Sequence, residues 1–536
     1  MSYTLSPRAP DAATETSAAT PPAAPQKPPL DFRAVDIVCA LLTLALGFLF
    51  WEWSTPRFVA GTDTLVFPGL GVTLFFLAAV CLCAVWMRIR GIRQNAKSLV
   101  TLAAVIAGAL PFTLYDTLPV YLALFGFEII VCLLWVCFSC GSEITTRLSG
   151  FVIFDVINQA FIVPFANIFT PVAALRHSFR NRAASKNKRL APAIIGVIVA
   201  LPVIALVIQL LVASDSGFNI MLDKLFDFAD LPQMRRFVWE AILGIPVAFF
   251  IFGLVFGNAS KRHTEMITSE HAHNFVDKAH RIAPAAVYAP LILLNALYLL
   301  FFAAMTTYLV SGFGHRLPAG YDTYAEYARR GFFELCFVAA INLFALGFAW
   351  MLSKRAASGH PKPLRIIGGT LTALTLLLIA TAASKMLLYV DMYGLSRLRL
   401  YTLWFMLVLA CVFIALLIWH IHTFNAGKPI VIICAVLFLA LVLSNTDGII
   451  AKHNVKSYLS GKTETVDVFM LNDLSDAAVP AMKELGEKAP DKLIRAEAHN
   501  LLAQRMSEVS VVRSRDLPVM SFNLQSAEAR ALLNRR

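Results

Sequence analysis

The feature that most constrains this chain is a repeat of apolar runs, each about twenty residues long, separated by short polar connections. A helix needs roughly 20 predominantly apolar residues to cross the hydrocarbon of a bilayer, because every backbone polar group there must be satisfied within the segment. About eleven stretches meet that requirement: 34–53, 66–87, 98–115, 119–139, 191–213, 237–257, 287–310, 331–352, 366–390, 401–420 and 429–444. The chain is 58% hydrophobic and only 15% charged, against about a quarter charged in soluble proteins. The expected fold is therefore all-α, a polytopic bundle of about 11 transmembrane helices.

Residues 1–33 are a different material, rich in Pro and Ala with almost nothing large and apolar. Such a segment cannot bury enough surface to offset the entropy of ordering, and reads as a disordered cytoplasmic tail. It lacks the basic and apolar regions of a cleavable signal, so the first crossing is expected to direct insertion. The bundle then occupies 34–444. A soluble helical region, 445–536, follows. In it LSDAAVPAMKELGEK and DKLIRAEAHNLLAQRMSEVS place Ala and Leu at helical spacing, and Asp467–Leu471 reads as a short extended piece.

Lys and Arg set the expected orientation. With a cytoplasmic N-terminus, the inside loops hold about twice as many as the outside loops, and the C-terminal region falls in the periplasm. Residues 150–174 are apolar but carry Asp155, Asn158, Gln159, Pro164, Asn167 and Pro171, which fits an interfacial or re-entrant segment better than a crossing. The basic loop beside it, 175–190, would attract anionic lipid on the cytoplasmic side. Membrane electrostatics thus account for the net charge of +12, and no nucleic-acid partner is expected.

Few residues suggest chemistry. There is no Walker-type phosphate loop, no HExxH and no GxSxG in a strand-to-helix setting. The cysteines lie in or beside apolar segments, so no disulfide framework is expected; Cys137 and Cys140 have CxxC spacing but no second ligand pair. His271 and His273, beside Glu270, are a weak metal candidate in a polar loop. No cofactor is expected. The densest ionisable patch is KMLLYVDMYGLSRLRLYTLW, where Lys385, Asp391, Arg397 and Arg399 crowd a turn among three tyrosines. Arg329, Arg330 and Glu334, at the end of an amphipathic stretch from Tyr321, fall on the same side. Together these seven form a candidate outer vestibule, with plain interfacial anchoring as the competing role.

Three runs in this order, YDTYAEYARRGFFELCFVAAIN, YGLSRLRLYTLWFM and NTDGIIAKHNV, resemble an uncharacterised bacterial multi-pass membrane family, domain of unknown function 4173, and its relative 4153. The resemblance is best from about Ala289 to Leu485. It implies a bacterial inner-membrane protein and supplies no reaction. Three functions fit the residues. A structural or sensory envelope protein would dock its C-terminal region on a protein partner. A transporter or lipid flippase would draw an anionic solute or headgroup to the arginines. A membrane enzyme would use Asp391 or Glu334 as acid or base, but no nucleophile, base and orienting group can be assembled.

Overall fold

The computed structural model describes residues 31–58, 65–116, 118–144, 152–182, 232–264, 284–313, 332–353, 361–422, 424, 426–513 and 519–534, with a few single positions between 204 and 221. The protein is, among the described residues, all-α apart from a two-residue antiparallel pair, Arg57–Phe58 with Leu65–Val66. Among the described residues, eight helices are long and apolar enough to cross a membrane, and up to ten if each of two bent pairs counts as one span.

The first bundle contains α1 (Ala34–Ser54), α2 (Gly69–Ile89), α3 (Ala96–Leu114), α4 (Leu118–Cys140) and α8 (Pro232–Ala259). The second contains α9 (Pro284–Phe313), α10 (Phe332–Leu352), α11 (Lys362–Tyr393), α12 (Arg397–Ile421) and α13 (Gly427–Val442). These ten coincide with ten of the expected stretches to within a few residues; the remaining one, 191–213, lies outside the described residues apart from single positions. Local chemistry sets several boundaries. Asn95 caps α3 by accepting from the Ser98 amide at 2.9 Å, and Ser396 caps α12 through the Arg399 amide. Inside the first bundle α1 and α8 approach backbone to backbone, since a Cβ on Gly47 would overlap the carbonyl of Gly244. Small residues permit such contact where lipid offers no hydrophobic drive between helices.

Between α4 and α8 runs a broken helix: α5 (Val152–Ile157), a π-helical turn Asn158–Ile162, α6 (Val163–Ala166) and α7 (Thr170–Arg182), bent by 41° at the break. It begins beside the end of α4, where the Ile144 amide donates to Asp155 at 2.8 Å. At the break, Ile168 and Val172, with Leu44 of α1, pack against Ile245, Ala248 and Phe249 near the middle of α8. It then returns, and the His177 ring lies 5.9 Å from that of Phe32, tilted by 50°, just before α1. Its polar residues turn inward onto α8: the side-chain amides of Gln159 and Asn258 donate to each other at 2.6 and 3.2 Å, and Asn167 donates to the Arg262 carbonyl at 3.2 Å.

At the same end of the first bundle, Asp36 is 0% exposed and accepts four donors. Trp86 Nε1 and Arg90 Nε reach one oxygen at 2.8 Å each; the Arg33 amide at 2.7 Å and Arg90 Nη2 at 2.5 Å reach the other. Arg90 also donates to Ser260 at 3.1 Å, so α1, α2 and α8 are tied together. A buried carboxylate is tolerable when it is so fully paired.

The C-terminal unit is built from α14 (Thr446–Leu459), α15 (Val468–Asn472), α16 (Val479–Lys488), α17 (Lys492–Arg513) and α18 (Leu524–Asn534). It lies at the opposite end, and α14 bends 62° from α13 to join it. Its core of Ile450, Val455, Leu471, Met482, Leu485, Ala498 and Leu502 is continuous with Val390 and Leu395 of the α11–α12 turn. One local expectation fails. Asp467–Leu471 is not extended, because Asp467 accepts from the Met470 amide at 2.9 Å and starts α15.

Candidate functional site

The ionisable patch singled out in the sequence sits where the α11–α12 turn meets the C-terminal unit. Helix α11 stops at Gly394, whose φ of 76° is a left-handed conformation that glycine adopts without strain. Space demands glycine there too, since a Cβ would lie 2.7 Å from Asn454 Oδ1. Asn454 pairs with the next residue like a strand partner, accepting from the Leu395 amide and donating to the Leu395 carbonyl, both at 2.7 Å.

One turn further, Arg397 forms a bidentate pair with Asp447 at 2.9 and 2.6 Å. Asp447 is 0% exposed and also accepts from the Ser475 amide at 2.8 Å. Burial by itself would raise the Asp447 carboxyl, but the Arg397 guanidinium and the Ser475 amide outweigh it and hold the group below the ordinary carboxylate range. Asn445, at the head of α14, accepts from the Gly448 amide at 3.2 Å and from Gln525 at 2.9 Å. Tyr401 lies 3.5 Å from Thr446. Two of the three sequence runs, YGLSRLRL and NTDGIIAKHN, are thus the two sides of one junction.

The remaining vestibule candidates divide. Arg399 donates to the carbonyls of Tyr393 and Gly394 at 2.9 and 2.5 Å and lies 4.0 Å from the Tyr389 ring. Asp391 pairs with Lys462 at 2.8 Å, with both side chains substantially exposed. Lys385 is half-buried on α11, and Glu334 is exposed at the start of α10. Arg329 and Arg330 lie outside the described residues, as do Glu270, His271 and His273. The geometry brings together Asp391, Arg397 and Arg399 around the turn, and each is engaged by a neighbour. No group of three or more His, Cys, Asp or Glu fit to hold a metal occurs among the described residues.

Further contacts fix the unit onto the first bundle as well. The Leu70 amide donates to the Phe522 carbonyl at 2.9 Å and the Asp116 amide to Gln525 at 3.0 Å, while Tyr115 donates at 3.0 Å to the carbonyl of Leu443 at the end of α13. Within the unit, Arg505 gathers Asn472 and the Leu474 carbonyl, at 2.8 and 2.7 Å for Oδ1 and the carbonyl respectively.

Sequence reasoning named Arg397 but missed its partner, and missed Asp36 and Glu128 altogether. The available signal was simple: an Asp or Glu inside an apolar run is expensive and marks a paired or functional group.

Comparison with known proteins gives one family. The family model described as Domain of unknown function (DUF4153) matches residues 101–485. This is the relative, 4153, in the sequence-based resemblance, and the match reaches back into α3, well before Ala289. No curated protein and no solved structure matches.

Proposed function

The chain belongs to the DUF4153 family, and from that membership we propose that this multi-pass membrane protein is a structural or sensory envelope protein whose C-terminal unit docks a protein partner. The bundle holds that unit in a fixed pose. The observation that carries this reading is the Arg397–Asp447 pair beside the Asn454–Leu395 double hydrogen bond. Arg397, one of the cationic groups of the expected vestibule, is committed to positioning the unit, and an anionic ligand would have to displace a buried carboxylate to use it. The proposal includes an inner-membrane location with the N-terminus cytoplasmic and the unit periplasmic, supported by the Lys and Arg distribution. It also includes a kinship with family 4173, supported by the three ordered runs.

Function in the cell should survive Arg399→Gln and fail when the chain is cut after Ser460; an intact phenotype without residues 461–536 would overturn the docking role. Cysteines placed singly at Lys462 and at Arg93 test the orientation with a membrane-impermeant thiol reagent on intact cells. Labelling at 462 and not at 93 is the expected result.

A transport reading has one observation in its favour. The broken helix 152–182 is bent at Asn167 and buries side-chain oxygens of Asn158 and Asn167 without hydrogen-bond partners, as discontinuous helices do at substrate sites. On that reading the segment is re-entrant and the arginines draw an anionic lipid headgroup or solute. Native mass spectrometry from nanodiscs, comparing wild type with Asn158→Leu and with the pair Arg397→Gln, Arg399→Gln, separates the readings. A bound small molecule lost in either variant moves transport to the front.

A further inference from the structure

Glu128 lies near the middle of α4, is 0% exposed, and neither of its carboxyl oxygens has a hydrogen-bond partner. The carboxyl rests against the backbone of α3 at Gly108, where a Cβ would overlap Oε1, and the Phe127 ring edge closes the same space at 3.4 Å. A glycine on α3 therefore makes the room that the carboxyl occupies. The contrast with Asp36 is direct: that buried acid has four donors, while Glu128 has none.

Two further polar atoms on α4 are buried without partners, Tyr121 Oη and Trp135 Nε1. Each is seven residues from Glu128. Seven residues fall about 20° short of two full turns, so the three side chains lie in one stripe about 10 Å apart along the axis. Tyr121 sits toward the end that carries the C-terminal unit, among the rings of Phe67, Phe112 and Phe125 at 5.0, 5.1 and 6.5 Å. Trp135 sits toward the other end, one turn from Ser139, which donates to Gln94 at 2.9 Å.

Such a carboxyl costs free energy and returns no helix pairing. It also stands without the several oxygen ligands that a metal cation requires. We propose that Glu128 is a proton-exchange site within the membrane, the middle of three buried polar groups without partners on one stripe of α4. This goes beyond the docking role proposed above and does not depend on it.

The test is carbodiimide labelling of full-length wild-type protein in phosphatidylcholine–phosphatidylglycerol vesicles. The protonated acid adds across one C=N bond of dicyclohexylcarbodiimide, its proton going to nitrogen and its oxygen to the central carbon. The O-acylisourea rearranges to a stable N-acylurea with nothing lost, and the ionised carboxylate does not add. The adduct is read by mass spectrometry on the peptide that contains Glu128, from about pH 5 to about pH 11, so that the window extends well past the ordinary carboxylate range. The expected result is an adduct on Glu128 whose yield falls about tenfold per pH unit once the group ionises. Gly108→Ala, which crowds the carboxyl, should lower the yield at least about fivefold while helical circular dichroism is unchanged. No adduct at any pH, or a yield flat across the range, overturns the proposal. Because labelling is read on the wild-type chain, a negative result stands even where the variant does not fold, and it leaves the Arg397–Asp447 junction untouched.

Discussion

Asp447 and Asp391 lie on the same end of the molecule and both pair with a basic residue, yet burial gives the two pairs very different weights. Removing one partner of a buried, hydrogen-bonded ion pair leaves a desolvated charge, at a cost of about 3–5 kcal/mol. Asp447→Asn is therefore expected to lower the unfolding free energy of the C-terminal unit by about 3 kcal/mol or more, read as earlier tryptic cleavage after residue 461. Arg397→Lys keeps the charge but loses the fork, and should fall between wild type and Asp447→Asn. Asp391→Asn, at an exposed pair 2.8 Å long, should change stability by less than about 1 kcal/mol. The same geometry predicts a pH dependence. The folded-state value of Asp447 is depressed, so its contribution is fully present above the unfolded carboxyl value of about 3.9. It is lost as the pH falls below that value and through the folded one. Proteolytic resistance of the unit should hold from neutral pH down to about 5 and weaken below about 4, a weakening absent from Asp447→Asn.

The α11–α12 turn depends on Gly394 and Asn454 acting together. Gly394→Ala forces a Cβ into a left-handed conformation and against Asn454, and is expected to cost about 1–3 kcal/mol. Asn454→Ala leaves both backbone groups of Leu395 unsatisfied in a buried position, at about 1–3 kcal/mol for each. Hydrogen exchange at the Leu395 amide should accelerate in both variants, while the amides in the middle of α12 keep their wild-type rate. Helices of this kind were legible in the sequence. Ten expected stretches coincide with observed helices because hydrocarbon length alone dictates their span, with no partner needed. The pairing of Leu395 with Asn454, or of Arg397 with Asp447, was not legible, since each joins residues 50 or more positions apart and a single sequence carries no trace of that proximity. The extended reading of 467–471 failed for a local reason, the cap supplied by Asp467 in a run too short for periodicity to decide. The π-helical turn at Asn158–Ile162 likewise leaves no mark in hydropathy.

At the scale of the molecule, the C-terminal unit contacts both bundles. Leu70 and Asp116 belong to the first; Leu395 and Arg397 belong to the second. Truncation after Ser460 strips Leu471, Met482 and Leu485 from Ile450 and Val455. That exposes an apolar face at a membrane boundary, so the truncated chain should lose most of its monodisperse peak in detergent gel filtration. A chain carrying only Asp391→Asn should elute as wild type.

The bridging contacts also impose an order in time. Synthesis proceeds from the N-terminus, so α1 to α13 emerge and enter the membrane before the residues of α14 to α18 exist to receive them. The bundles already touch directly, where Tyr115 donates to the Leu443 carbonyl and Phe127 packs on Phe438, but the contacts that the unit adds can form only after those helices have been made. A chain that ends before Asn454 carries α1 to α13 yet leaves the amide and carbonyl of Leu395 without the side chain that pairs them.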